Sequence, residues 1–354
     1  MSYVMTDLLL EMVKMGSSDL FVTADAVPKA LVYGKLNDLG TEVLTSQQSR
    51  DLAKEICTDE QWKEFEATHD LNLAYKIDDQ RWRLNIYMQR GNVALVARVI
   101  RTAIPSLNEL HLPAVFSELV MMKRGILFVT GATGSGKSTT LAALIDYRNI
   151  NSSGHIVTVE DPIEFVHEHK GCLISQREIG IDTLSFDEAM KSVLRQAPNV
   201  ILLGEIRDVE TAKFALHASD TGHLILCTLH TNNANQTIER LVNLFPPEQS
   251  NALLYQLSNN LVGVISQRLI PTIDGKRVAA IEILVNTARI KELILNNKLD
   301  ELKSTMAKGN TIGMQTFDQA LYQLTKDGII AEDTAIKFAD SSNDLKLKLR
   351  GIGN

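Results

Sequence analysis

The chain has 354 residues, enough for two domains at roughly 100–200 residues each. With 45% hydrophobic and 22% charged residues it reads as a globular protein with a sizeable core, which excludes a disordered chain and a disulfide-stapled miniprotein. Lys and Arg number 36 against 43 Asp and Glu, a formal charge of −7, which argues against a dedicated nucleic-acid surface.

The three cysteines, Cys57, Cys172 and Cys227, stand far apart and form no CxxC pair. They read as small buried hydrophobes in a reducing compartment, neither a disulfide framework nor a zinc site. No apolar run reaches the ~18–20 residues that span a bilayer. The first residues, MSYVMTDLLLEMVKMGSSDLF, mix acids into an apolar pattern without the basic start of a signal peptide. A cytosolic protein is expected.

The first hundred residues predict a mixed α/β unit. Met5 to Met15 carries helical apolar spacing, and DLFVTA (Asp19 to Ala24) and KALVYGKL (Lys29 to Leu36) read as one strand each. A helix is expected after Ser46 as its N-cap. Three alternating segments follow: DLNLAYKI from Asp70, RWRLNIYMQR from Arg81 and VALVARVI from Val93. The last two are joined by a hairpin turn at Arg90-Gly91-Asn92. From Arg101 to Pro113 two prolines and lost periodicity mark a linker. Beyond it come apolar runs separated by helical stretches: GILFVT (Gly125 to Thr130), HIVTV (His155 to Val159), VILLG (Val200 to Gly204) and LILCTL (Leu224 to Leu229). Runs that are apolar on both faces predict buried parallel strands. After Pro246 and Pro247 the pattern turns largely helical, with RVAAIEILV from Arg277 as one further strand.

Gly131 to Ser138 reads GATGSGKS, a full match to GxxxxGK[ST], between the apolar run GILFVT and the helix-forming KSTTLAALIDY. Glycines there permit the backbone angles that turn successive N–H groups around an anion, and the helix N-terminus adds positive dipole. Lys137 is expected on the β/γ-phosphates of a nucleotide and Ser138 on Mg²⁺.

A phosphate loop of this kind works with carboxylates at neighbouring strand ends. VILLGE supplies Glu205, with Gly204 at the usual aspartate position, and HIVTVEDPIEF supplies Glu160, Asp161 and Glu164. Either Glu164 or Glu205 could orient the attacking water. GHLILCTLHT sets His223 and His230 at the two ends of a buried strand, both expected near the γ-phosphate.

Taken together, GATGSGKST, VTVEDPIEFVH, VILLGEIRD and GHLILCTLHT resemble the Walker A, Asp box, Walker B and His box of type II/IV secretion ATPases. More narrowly the chain resembles the PilT/PilU family of type IV pilus retraction ATPases, which serve twitching motility. Within the family it resembles the PilU branch most, through YRNINSSGHI, LRQAPNVILLGEIR, GMQTFDQALYQL and ADSSNDLKLKL. At the AIRNLIRE-like element of PilT proteins this chain has RIKELILN, with Lys291, Leu295 and Asn296 in place of Arg, Arg and Glu. That departure favours an accessory motor that assists a PilT-like ATPase. The alternative is a regulatory ATP-binding subunit that tunes such a partner with little hydrolysis.

The resemblance implies an α/β fold: a PAS-like α+β domain over residues 1–100, a linker over 101–113, and a RecA-like ATPase domain over 114–354 with a helical C-terminal part. It implies a cytoplasmic homohexamer, peripheral to the inner membrane at the pilus base, working on a PilC-like platform protein; the acidic balance and 5% aromatic content argue against nucleic acid as a partner. It implies ATP and Mg²⁺, with Gly131, Ala132, Thr133, Gly134, Ser135, Gly136, Lys137, Ser138 and Thr139 cradling the nucleotide. By position Glu164 matches the family's catalytic glutamate and Glu205 its Walker B glutamate, a support for Mg²⁺. Arginines of the N-terminal domain reach nucleotide across subunits in this family; Arg83 and Arg98 are the candidates here, with Arg81 and Arg101 as rivals.

Overall fold

The computed structural model describes residues 3–32, 34–100, 103–309 and 312–351. The chain divides into two compact units, the first Met1–Ala103 with 163–166 and 180–182, the second the remainder from Ile104.

In the first unit six strands form an antiparallel sheet: β1 (Asp19–Thr23), β2 (Lys29–Val32), β3 (Lys35–Asp38), β4 (Asp70–Ile77), β5 (Gln80–Gln89) and β6 (Asn92–Ile100), in the order β3-β2-β1-β6-β5-β4. The segment expected as one strand, Lys29 to Leu36, is a tight hairpin, because Gly34 takes a left-handed φ of 79° and lets Val32 pair with Lys35. Arg90 and Gly91, both at positive φ, make the two-residue turn between β5 and β6. Alternation decides the faces. Trp82, Leu84 and Ile86 turn inward, packing in one cluster with Leu95, Ala97, Met5, Leu9, Ala53 and Phe65, the last four from the three covering helices. Deleting a buried aromatic such as Trp82 costs about 3–5 kcal/mol. The helix Ser46–Glu55 is capped by Thr45, not Ser46: Thr45 accepts from Gln48 N while the Gln48 side chain returns to Thr45 N. That reciprocal pair needs its glutamine three residues on, which only Thr45 has.

The second unit holds a seven-stranded sheet of β7 (Gly125–Thr130), β8 (Gly154–Glu160), β9 (Cys172–Glu178), β10 (Val200–Leu203), β11 (Leu224–Leu229), β12 (Leu261–Pro271) and β13 (Arg277–Val285). Their order is β13-β12-β7-β11-β10-β8-β9, all parallel except β13. Alternate residues of β7 feed two cores. Leu127 and Val129 pack with Leu141 and Leu144 of the helix Lys137–Asn151, whereas Ile126 and Phe128 pack with Leu216, Ile238 and Leu257 of helices on the other face. Two strands went unread in the sequence. One is β9, and the other is the eleven-residue β12, which lies in the stretch expected to be helical. β12 is buried on both faces over most of its length, so no two-residue period shows, and β9 is an edge strand whose sequence CLISQRE is too short and too polar to stand out. β12 sits directly against β7, Ser266 opposite Thr130.

Candidate active site

The carboxyl ends of β7, β8, β10 and β11 lie along one edge of the parallel sheet, and each candidate motif of the second unit leaves the sheet there. After Thr130 the chain turns through Gly131, Gly134 and Gly136 at φ values of 144°, 75° and 93°. A Cβ on Gly131 would stand 2.5 Å from both the Gln267 carbonyl oxygen and Ser135 Oγ, so β12 closes on the loop as only glycine permits. Gly136 starts the helix Lys137–Asn151, and no side chain caps it. Its first N–H groups are thus left for an anion.

Lys137 folds over the loop and donates to the carbonyls of Gly131 (2.8 Å) and Ala132 (2.9 Å). Burial lowers its pKa, and the nearby negative charge of Glu205 pulls the other way. Ser135 Oγ is buried without a hydrogen-bond partner, the kind of orphan that a bound phosphate oxygen satisfies. Beneath the loop, Thr130 Oγ1 donates to Ser266 Oγ (2.9 Å) and Gln267 Nε2 to Thr140 Oγ1 (2.9 Å).

Glu205 follows β10. Arg207 Nε donates to its Oε2 at 2.8 Å, and His230 Nε2, just past β11, lies 3.5 Å from its Oε1. Arg207 Nη1 also stands 3.8 Å from Asp161. The two strand ends are tied together, Thr228 Oγ1 donating to the Gly204 carbonyl (2.5 Å) and Ile206 N to that of Thr228 (3.1 Å). Bonding to Glu205 raises the Arg207 pKa, with the charges of Glu205, Asp161 and Asp208 adding to the effect. Glu160 accepts from Thr158 Oγ1 (2.6 Å) and Gln176 Nε2 (3.2 Å).

The structure thus gathers Lys137, Glu205, Asp161 and His230, together with Arg207, whose role as the Glu205 partner the motif reading did not single out. The VILLGEIRD motif itself held that signal, since Arg207 follows Glu205 by two residues. The floor residues Ser266 and Gln267 were hidden with β12. Glu164 is exposed and its segment groups with the first unit, whereas Glu205 lies near enough for its charge to act on Lys137.

His223 does not join the site. It precedes β11, its backbone carbonyl accepting from Gly125 N at the start of β7, so the length of the strand, roughly 20 Å, separates it from the phosphate loop. Its Nδ1 pairs instead with the Ala218 carbonyl (2.9 Å) and Thr221 (3.2 Å), closing the turn after the helix Val209–Asp220.

In the first unit Arg83 and Arg98 are direct partners across β5 and β6, on the face away from the core. Arg98 Nε donates to the buried Asp19 at 2.7 Å, which orients the guanidinium while most of the side chain stays exposed. Arg81 shares that face opposite Ile100. Arg101 lies outside the described residues.

A glycine-rich loop between a central parallel strand and a helix, its lysine beside a strand-end glutamate paired with histidine, defines a P-loop ATPase of RecA-like fold. Residues 90–331 match the family model of type II/IV secretion system proteins, and the chain belongs to that family. It is similar to the type IV pilus ATPase PilU of Pseudomonas aeruginosa, 46% identical over 97% of this chain and 90% of that protein. It is also similar to the retraction ATPase PilT of the same organism, 42% identical over 93% of this chain and 96% of the relative. A crystal structure of the pilus retraction motor PilT with bound ADP superposes with a TM-score of 0.91 at 40% identity, covering 97% of this chain and 99% of that one.

Proposed function

We propose that this protein is a motor ATPase of type IV pilus retraction, acting as a PilU-type accessory to a PilT-type motor. The observation that carries the reading is the Lys137–Glu205–His230 cluster at the phosphate loop, in a chain similar to PilU over 97% of its length. The active form is a homohexamer whose first units act as the PAS-like domains. It works at the cytoplasmic face of the inner membrane, on a PilC-like platform protein and not on nucleic acid. Among the described residues no helix is long and apolar enough to cross a membrane.

ATP is the substrate. On binding, Lys137 exchanges the two loop carbonyls for β/γ-phosphate oxygens, and residues 131–139 supply the anion cradle. Oxygen donors suit Mg²⁺; Ser138 and, through water, Glu205 would hold it, where it would neutralise charge developing on the phosphates. Glu164 polarises the attacking water, Glu205 supports the metal side and His230 reads the γ-phosphate. Arg98 and Arg83 of a neighbouring subunit offset the charge of the transition state. Arg207, bound to Glu205 and Asp161 of its own chain, orients the carboxylate and does not serve as that finger.

Two measurements test this. Lys137→Ala should lose ATP turnover with the fold intact; wild-type turnover sinks the site. A deletion strain complemented with and without a PilT-type partner, scored by pilus retraction, tests the accessory role: retraction restored without the partner overturns it.

A further inference from the structure

Glu282 is a carboxylate on β13, in the middle of the second unit and 1% exposed. A buried charge is expensive unless its partners hold it. Its Oε1 accepts from Ala234 N at 2.8 Å, the first residue of the helix Ala234–Leu244. That helix follows directly on the loop His230–Asn233. Asn233 caps the helix by accepting from Gln236 N at 2.9 Å, and Glu282 satisfies a second of its orphan N–H groups, so that the helix start is held by a side chain from β13. Other bonds at this corner, such as Thr231 with Thr237 (2.7 Å) and Asn235 with the Leu299 carbonyl (2.9 Å), are neutral.

The same residue stands one strand away from the start of the phosphate loop. Glu282 is the register partner of Ser266 on β12, and Ser266 Oγ accepts from Thr130, the last residue before Gly131. Around it stand Arg268 of β12, Lys303 of the helix Leu302–Ala307 and Asp340, all of which its charge feels. Arg268 and Lys303 are themselves clamped to Asp340, at 2.7 and 2.9 Å. One carboxylate therefore anchors the helix that follows the His230 loop, beside the strand that floors the phosphate loop and within reach of the charges of Arg268, Lys303 and Asp340.

We infer that Glu282 is a positioning residue for turnover: through the Ala234 N–H it fixes the His230–Asn233 loop, and with it the approach of His230 to Glu205, without touching nucleotide. The inference rests on the proposed role of His230. A loop displaced by about 1 Å can cost two orders of magnitude in rate while leaving binding unchanged.

The test is steady-state ATPase on the full-length hexamer, with assembly checked by mass, for Glu282→Ala, Glu282→Gln, His230→Ala and the Glu282→Ala/His230→Ala double variant. Expected are a fall in kcat of about tenfold or more for Glu282→Ala with KM within about twofold, and recovery of most of kcat in Glu282→Gln, whose amide oxygen still accepts from Ala234. The double variant should be no slower than His230→Ala alone, because both lesions act on one element. Multiplicative losses in the double variant, or a Glu282→Gln as impaired as Glu282→Ala, overturn the inference while leaving the site intact. Wild-type turnover in His230→Ala overturns the His230 reading itself. Should Glu282→Ala fail to assemble, Glu282→Gln carries the test: near-normal kcat supports the inference, and a folded hexamer with a tenfold loss overturns it.

Discussion

Replacing Gly131 by alanine separates steric closure of the phosphate loop from backbone strain, provided Gly134→Ala is made beside it. Both glycines have positive φ, 144° and 75°. Around Gly134 nothing stands within 4 Å of an added Cβ, so that variant bears only the strain of its backbone region, about 1 kcal/mol. At Gly131 the same methyl meets the Gln267 carbonyl and Ser135 Oγ at 2.5 Å, and the first contact is backbone of a buried strand that cannot yield cheaply. Overpacking adds about 1–3 kcal/mol, for a total near 3 kcal/mol. In a domain of this size that corresponds to a Tm lower by roughly 6–12 °C for Gly131→Ala and roughly 2–4 °C for Gly134→Ala. Calorimetry of the two variants and the parent measures the gap, and titration with an ATP analogue should show Gly131→Ala binding more weakly, since the loop must move off β12. Equal melting temperatures for the two variants would refute the claim that β12 sets the shape of the loop.

Three further outcomes are expected. Glu164→Gln should retain ATP binding and lose most hydrolysis, whereas Glu205→Gln should also change the affinity for Mg²⁺; single-turnover assays across a Mg²⁺ series distinguish them, and a Glu164→Gln with normal turnover reverses the two roles. Arg98→Ala and Lys137→Ala subunits, each inactive alone, should regain part of their activity when mixed. A finger acting in trans can meet an intact P-loop at some mixed interfaces, and co-assembled mixtures inactive at every ratio count against it. Burial raises the Glu282 pKa to about 7, with the Ala234 N–H opposing and the charge of Asp340 assisting. Since the folded value lies above the unfolded one, the fold holds an extra proton, and this contribution is complete below about pH 4.5 and lost as pH rises to about 7. Glu282→Gln cannot lose it. The stability of that variant relative to wild type should therefore climb between about pH 5 and 7, by up to roughly 3 kcal/mol, and level off above. A difference independent of pH refutes the assignment.

Much of the site was legible because its chemistry is written in contiguous residues. The phosphate loop needs glycines, a lysine and a hydroxyl at fixed spacing on one turn, so residues 131–139 could be read from the chain alone. Strand-end carboxylates could be read as candidates, but only the family resemblance, not residue type or spacing, gave them separate roles. Glu164 and Glu205 look alike in sequence, and only folding puts Glu205 beside Lys137, Arg207 and His230. The two histidines show the limit most plainly. His223 and His230 flank one strand symmetrically in sequence, yet a parallel strand has a direction, so one end meets the loop and the other the opposite edge.

The sequence by itself determined the local elements whose signals are short-ranged: the hairpin turn at Arg90-Gly91, the buried strands β7, β8, β10 and β11, and the Lys137 helix. Only the tertiary structure decided what lies beneath and across from them. β12, apolar on both faces, carries no period to betray it. Yet it forms the floor against Gly131, and through Ser266 it brings Glu282 under the site from 136 positions after Thr130 to Ser266 and 48 after Ala234 to Glu282. Contacts of that separation depend on strand order and register, which side-chain pattern along the chain does not encode; a buried Glu282 becomes intelligible only when the N–H it accepts from has been folded into place.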